Sequence, residues 1–331
     1  MKDTVLLLTN QADDSTDSVI ANLEKLGQRF YRFNTESFPL ETKIVLTTTR
    51  RSIEFESSEE RVDLNNVKSV WYRRPAPPML AETNLSPGYV RFIKNESEAA
   101  LWSLYTTIDV FWMNPPLYSV NLLQRNKLYQ MKDAASAGLK IPDTVITNDP
   151  SELLKFCDRF GGSIAVKLLR GDWFVKEESN IPLFVFTQKV TRDQIAKHRD
   201  DVRLSPILAQ EYIDKDFELR ITIVGEKIFA CAIRSQEIEQ TRIDWRNNNL
   251  ESIKHELYEL PSDIKTRIFT LMRKWHLSYG AIDMIVTPRG DYVFLEINPG
   301  GQWLWIEEMT GIPISQALAE LLANPPRDSC S

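Results

Sequence analysis

The stretch Tyr279-Gly280-Ala281-Ile282-Asp283-Met284-Ile285-Val286-Thr287-Pro288-Arg289-Gly290-Asp291-Tyr292-Val293-Phe294-Leu295-Glu296-Ile297-Asn298-Pro299 decides the fold. Apolar residues alternate on both arms, and Gly290 stands where a tight turn needs positive φ, so the stretch reads as a β-hairpin. A two-residue turn at Arg289-Gly290 makes paired positions sum to 579. The pairs Ile282/Ile297, Met284/Leu295 and Val286/Val293 then share one apolar face, while Ile285/Phe294 and Asp283/Glu296 share the other. Two carboxylates thereby stand opposite each other with Cβ atoms roughly 4.5–5.5 Å apart. Asn298 follows on the same face, about 6.8 Å along the strand. Opposed like charges between apolar neighbours need compensation. A Mg²⁺ ion held by carboxylate and amide oxygens would supply it, and so would water at a wet hairpin end.

A second hairpin lies upstream. A turn at Gly225-Glu226 makes paired positions sum to 451, so that Leu219/Ala232, Ile221/Ala230 and Ile223/Ile228 form an apolar face. The other face carries Glu218, Arg220, Thr222 and Val224, which is either a solvated face or the wall of a site.

Outward from these hairpins the chain reads as mixed α/β. Strand Thr4–Thr9, helix Ser15–Leu26 and strand Arg29–Asn34 make a βαβ unit; residues 42–56 give two strands and Val67–Tyr72 another. A helix over Tyr89–Ile108 is followed by Asn114-Pro115-Pro116, a firm break. A new unit opens near Asn121 with helix Arg125–Ala137, strand Thr144–Thr147, helix Ser151–Phe160 and strand Ile164–Leu169. Strand Leu183–Thr187, helix Arg192–Arg199 and strand Ile207–Tyr212 complete it.

Composition excludes several classes. The 331 residues carry 40 Lys+Arg against 46 Asp+Glu, a net charge of −6 that argues against general nucleic-acid binding. The 12 glycines form neither a dinucleotide fingerprint nor a phosphate-wrapping loop of the GxxxxGK type. Cys157, Cys231 and Cys330 with His198, His255 and His276 support neither a disulfide framework nor a zinc site. The apolar run Val5–Leu8 is too short for a signal or a membrane span, so a cytoplasmic protein without membrane association is expected.

Trp71-Tyr72-Arg73-Arg74, Asn126-Lys127-Leu128, Gln210-Glu211-Tyr212-Ile213, Glu218-Leu219-Arg220-Ile221-Thr222-Ile223-Val224-Gly225, Tyr279-Gly280-Ala281-Ile282-Asp283 and Phe294-Leu295-Glu296-Ile297-Asn298-Pro299 occur in that order. With these segments the chain resembles the ATP-grasp ligases, and within them the microviridin-type (graspetide) ligases that crosslink ribosomally made precursor peptides. The resemblance implies an α/β (α+β) ATP-grasp fold. A pre-ATP-grasp domain would span residues 1–120, a central subdomain 121–210 and a C-terminal subdomain 211–331, with ATP between the last two.

It further implies ATP and Mg²⁺ as cofactors, with Asp283, Glu296 and Asn298 as metal ligands and Lys127 and Lys167 near the nucleotide. Glu211, Tyr212 and Ile213 match the adenine hinge, which requires an open strand edge, and Glu218 matches an acid near the ribose or the hinge. Arg220 resembles the arginine that steadies transferring phosphate; Arg234 matches a second one, although strict alternation sets it on the opposite face unless a bulge intervenes. Arg73 and Arg74 are candidates for the acidic core of the peptide, and Asp193 for an arginine of its leader; a surface cation pair and a helix-terminal acid are the plain alternatives.

Trp303 and Trp305 are either a wall of the peptide site or core, and Asp244 and Glu307 are the acids considered as base for the attacking hydroxyl. After Lys167 the chain departs from the glycine-rich lid of many ATP-grasp enzymes, reading Leu168-Leu169-Arg170-Gly171-Asp172-Trp173-Phe174. The implied activity joins Asp/Glu side-chain carboxylates, activated as acyl phosphates, to Thr/Ser hydroxyls or Lys amines of the peptide, in a homodimeric enzyme. A glutamate-ligase-type amino-acid ligase and a non-catalytic ATP-gated binding protein are the alternatives.

Overall fold

The computed structural model describes residues 2–48, 51–55, 61–80, 85–116, 119–124, 126–169, 173–176, 181–247 and 250–326. Arg125, the 170–172 portion of the segment after Lys167, and Cys330 fall outside them.

The N-terminal part contains β1 (Thr4–Thr9), α1 (Asp14–Lys25), β2 (Phe30–Asn34), β3 (Thr42–Leu46), β4 (Arg51–Phe55), β5 (Arg61–Asp63), β6 (Val67–Tyr72), α2 (Pro87–Thr107) and β7 (Phe111–Met113). Parallel strands in the order β2-β1-β6-β7 form one sheet, with every residue of β1 buried as both faces of a parallel sheet require, and β3-β4-β5 form a second, antiparallel one. The helix expected over Tyr89–Ile108 forms as Pro87–Thr107, short of the Asn114-Pro115-Pro116 break. Ile108 turns to extended backbone, β7 follows, and Asn114 takes φ of 60°, which Asn tolerates better than most residues.

The next part runs α3 (Lys127–Ser136), β8 (Thr144–Thr147), α4 (Pro150–Arg159), β9 (Ser163–Lys167), β10 (Trp173–Lys176), β11 (Ile181–Phe184), β12 (Gln188–Thr191), α5 (Arg192–Lys197), α6 (Arg199–Leu204) and β13 (Ile207–Glu211). The expected strand Leu183–Thr187 divides instead. Its start belongs to the β10–β11 hairpin, and the chain resumes as β12 at the edge of the sheet β12-β9-β13-β8.

The last part holds β14 (Phe217–Val224), β15 (Lys227–Ile233), β16 (His255–Leu257), α7 (Ser262–Lys274), β17 (Tyr279–Val286), β18 (Tyr292–Asn298), α8 (Leu304–Thr310) and α9 (Ile314–Ala323). Its antiparallel sheet has the order β16-β15-β14-β17-β18. The β14–β15 hairpin pairs as expected along its length, from Glu218 opposite Ile233 to Val224 opposite Lys227. Its apolar face packs with α7 in the largest core, which includes Leu219, Ile221, Ile223, Ile268 and Trp275. The other face is no solvated surface: Glu218, Arg220 and Thr222 are all buried.

The β17–β18 hairpin keeps its expected register only near the acids. Ala281 faces Asn298, Ile282 faces Ile297 and Asp283 faces Glu296, but Met284 then faces Phe294, Ile285 faces Val293, and Val286 faces Tyr292. The cause is a longer turn. Thr287 and Asp291 close it through a 2.9 Å backbone bond, leaving three residues in the loop with Gly290 at φ 80°. A bulge at Leu295 absorbs the extra residue and turns that side chain away from the core, so Phe294 is fully buried in its place.

Candidate active site

A cleft with a cavity volume of about 750 Å³ lies between the β8–β9–β13 sheet and the β14–β17–β18 sheet. That volume is within the roughly 300–1,000 Å³ of small-molecule sites. Lys127, Lys167, Glu211, Tyr212, Ile213, Glu218, Arg220, Asp283, Glu296, Asn298 and Arg74 all line it. Arg73, Arg234 and Asp193 do not.

At the floor, β14 and β17 place Arg220 opposite Asp283, and β17 and β18 place Asp283 opposite Glu296. Arg220 Nη1 donates to both Asp283 carboxylate oxygens at 2.8 Å, and Nη2 donates to the Gln302 carbonyl at 3.2 Å. Lys127 Nζ lies 3.1 Å from Glu296 Oε2. The opposed carboxylates are thus compensated by cations. Burial alone would raise the Glu296 carboxyl, yet Lys127 and Lys167 outweigh it and hold the group down to about 2. Burial lifts Asp283, with Glu296 adding to the rise and Arg220 opposing it. Burial likewise lowers Lys167 against the pull of Glu296.

Lys127 opens α3, whose N-cap Asn126 accepts the Tyr129 N–H at 3.0 Å; this fixes where the ammonium starts. Glu218 accepts from Lys215 Nζ at 2.6 Å and Ser235 Oγ at 2.9 Å, and burial raises its carboxyl against those partners. β13 is an interior strand paired with β8 through Gln210 and with β9 through Glu211, whose N–H also donates to the Asp143 carbonyl at 2.9 Å, so the open edge expected for the hinge begins only where Tyr212 and Ile213 leave that pairing. The Leu295 bulge turns Leu295 into the cleft beside Ile285.

The donor set suits a hard divalent cation, since two carboxylates and the amide oxygen of Asn298 are oxygen ligands. Asn298 Oδ1 accepts the Gly300 N–H at 3.0 Å, and both oxygens of Asp283 also face Arg220. Among the described residues no three His, Cys, Asp or Glu converge as a metal site. The remaining positions on an ion here would fall to phosphate oxygens and water, as is usual for Mg²⁺.

Two expectations give way to other roles. Arg73 is 3% exposed and buttresses the cleft floor from beneath. Its Nε lies 3.2 Å from Asp13, its Nη1 donates to the carbonyls of Gly300 at 2.6 Å and Gly301 at 3.1 Å, and its Nη2 donates to Gln302 Oε1. Its guanidinium lies 4.5 Å from the Trp303 ring centroid. Arg234 makes an ion pair with Glu256 at 2.7 Å and covers Phe217 on the far face, where alternation puts it; no bulge brings it round. Asp193 is exposed in the first turn of α5, outside the cleft, a placement that fits a contact with the leader as well as a helix-terminal acid.

Trp303 is fully buried, whereas Trp305 lines the cleft with its ring 5.1 Å from that of Trp245. Neither acid weighed as a base is free for that task. Glu307 accepts from Ser315 N at 2.8 Å and Oγ at 2.6 Å at the start of α9. Asp244 accepts from Thr187 N, Arg246 N, Arg246 Nε and Arg246 Nη2 at 2.8–3.1 Å. Burial would raise Asp244, but Arg246 outweighs it and the carboxyl falls to about 2.

Sequence reading missed Gln130, Trp245, Arg246 and Gln302, all on the cleft wall. Gln130 had a signal, one helical turn from Lys127. Trp245 and Arg246 sit in the irregular segment between β15 and β16, where no periodicity marks a face.

Comparison with known proteins places this geometry. Residues 4–118 match the MvdD pre-ATP grasp domain and residues 124–322 match the RimK-like ATP-grasp domain. The macrocyclase MdnC of Microcystis aeruginosa MRC, solved with its precursor peptide MdnA, is 33% identical with a TM-score of 0.83, over 97% of this chain and 99% of that one. A RiPP-associated ATP-grasp ligase of Chryseobacterium gregarium, solved with ADP and a leader and core peptide, is 29% identical with a TM-score of 0.90, over 99% of each chain. A probable alpha-L-glutamate ligase of Shewanella denitrificans is 22% identical over 201 residues, 60% of this chain. The chain spans 64% of that relative's own length. No helix among the described residues is long and apolar enough to cross a membrane. The chain belongs to the RimK-like ATP-grasp family of ATP-dependent ligases and, within it, to the microviridin-type enzymes that mature ribosomal peptides.

Proposed function

We propose that the enzyme activates Asp or Glu side-chain carboxylates of a ribosomal precursor peptide with ATP and joins them to Thr/Ser hydroxyls or Lys amines of the same peptide. The observation that carries this reading is the Arg220–Asp283–Glu296–Lys127 array on one wall of the cleft, with Lys167 at the end of β9 on the other wall and Arg74 also lining it. The central and C-terminal parts on either side of that cleft are the two halves of the ATP site, with the N-terminal part behind them.

In the first step a peptide carboxylate oxygen attacks the γ-phosphorus, and the bond to the β,γ-bridging oxygen breaks, releasing ADP and leaving an acyl phosphate. Lys127, Lys167 and Arg220 supply fixed positive charge where negative charge spreads over the transferring oxygens. Asp283, Glu296 and Asn298 would hold Mg²⁺, which when bound neutralises phosphate charge. In the second step a hydroxyl or amine attacks the acyl carbon, the bond to the phosphate oxygen breaks, and inorganic phosphate leaves as hydrogen phosphate, which carries the proton the nucleophile gives up. Glu211, Tyr212 and Ile213 form the adenine end, and Glu218 holds Lys215 there. Arg74 is the cation offered to an acidic core; it is exposed, with its Nε 3.2 Å from the Gly300 carbonyl.

Incubation of the enzyme with ATP, Mg²⁺ and a precursor peptide bearing Thr/Ser and Asp/Glu core residues tests the reading by mass spectrometry. One water is lost per crosslink, with one ADP formed each time. A peptide recovered at unchanged mass, together with ADP released from ATP when free glutamate is supplied, would favour the amino-acid ligase reading to which the glutamate ligase likeness points.

A further inference from the structure

Gln130 is 2% exposed on α3 and reaches the cleft wall one turn after Lys127. Its amide is fully engaged. Nε2 donates to the carbonyls of Leu123 at 2.9 Å and Ile297 at 3.1 Å, and Oε1 accepts the Ile297 N–H at 2.9 Å. β18 is the edge of its sheet, so its outer backbone groups face no neighbouring strand. At Ile297 the side-chain amide takes a strand's place, with one donor and one acceptor meeting one peptide N–H and one C=O. On the other side of the Leu295 bulge, the Phe294 N–H donates to the Lys140 carbonyl at 2.8 Å. The bulge is therefore held from both flanks, by α3 and by the segment that follows it.

Ile297 stands between Glu296 and Asn298, so the peptide groups that Gln130 grips set the directions of both side chains. A space-filling role would need only the volume of Gln130; the bonds to Ile297 call for its polar atoms. We propose that Gln130 is a positioning residue that orients Glu296 and Asn298 toward a divalent cation by clamping the Ile297 peptide groups between them. The proposal rests on the assignment of Glu296 and Asn298 as metal ligands.

Binding of Mn²⁺ in the presence of ADP, followed by electron paramagnetic resonance, tests this without turnover. Gln130→Met, which keeps the volume and removes the amide, should weaken Mn²⁺ binding roughly 10- to 100-fold, the range for partners that orient metal ligands. ADP binding without metal should stay within about twofold of the parent, which a general loosening of the fold would not allow. Parent-like Mn²⁺ affinity in Gln130→Met, with weakened affinity in Glu296→Gln, would overturn the positioning role alone. Parent-like affinity in both would overturn the metal assignment and the proposal with it. Should Gln130→Met not fold, Gln130→Glu decides: it keeps an acceptor for Ile297 N–H and loses the donor to Ile297 C=O. Added negative charge by itself would tighten Mn²⁺ binding, so weaker binding supports the role and equal or tighter binding overturns it.

Discussion

Arg73→Met should lower folding stability by ~3–5 kcal/mol, because it strands a buried carboxylate whose cation is gone. The Arg73 and Asp13 side chains are 0% and 2% exposed, so water cannot replace the missing charge. Asp13 Oδ2 keeps the Thr9 and Thr16 hydroxyls at 3.0 and 2.8 Å, which limits the loss. The carbonyls of Gly300 and Gly301 lose their guanidinium donor, at about 1 kcal/mol each. Replacing both members of the pair, as in Arg73→Met/Asp13→Leu, should recover part of the loss, since no unpaired charge stays buried. Arg74→Gln is the contrast. Arg74 is exposed at the cleft, so stability should change by less than about 0.5 kcal/mol while KM for an acidic peptide rises. Urea unfolding followed by tryptophan fluorescence gives the stabilities, and peptide-dependent ADP release gives KM. Arg73→Met unfolding within about 1 kcal/mol of the parent with a raised peptide KM would refute the buttress reasoning and return Arg73 to the peptide.

At Gly301 an added Cβ would overlap Ala281 Cβ and sit 3.2 Å from the Asn298 carbonyl, so Gly301→Ala must displace the loop beside Arg220. Peptide-dependent ADP release should fall more than tenfold in a variant that still melts cooperatively, and a parent-like rate would count against that loop's role. Asp244 has a folded pKa of about 2 against an ordinary 3.8, so its contribution is present above pH 3.8 and is lost as pH falls through 2. Acid unfolding should show Asp244→Asn losing ~2 kcal/mol less than the parent over that window; identical acid profiles would contradict the clamp. Arg234→Met, off the cleft, should keep kcat and KM within about twofold, and a hundredfold loss of kcat would restore the catalytic role that the family resemblance implies.

Local pattern carried the sequence reading a long way. The Glu218–Ile233 register and the Asp283–Glu296 juxtaposition followed from alternation and a turn, because side-chain period fixes the face in a half-buried hairpin. Three loop residues in place of two moved Leu295, Phe294 and Val293, since a turn one residue longer offsets every pair until a bulge restores it. Non-local facts stayed out of reach. Nothing in either hairpin says that β14 lies beside β17, and that pairing gives Asp283 its arginine. Arg73 and Arg74 are adjacent, look equivalent and both touch the Gly300 carbonyl; only the tertiary fold separates them, burying Arg73 against Asp13 and the Gly300–Gln302 loop and leaving Arg74 exposed at the cleft. Gln130 is one polar residue among several on α3 until the edge of β18 meets it.

The claim that a peptide carboxylate is activated by phosphoryl transfer is tested most directly with a precursor whose Asp and Glu side-chain oxygens carry oxygen-18. Each crosslink should deliver one labelled oxygen to the inorganic phosphate, because the carboxylate oxygen that attacks phosphorus leaves with it. Crosslinked peptide formed alongside unlabelled phosphate would contradict the account.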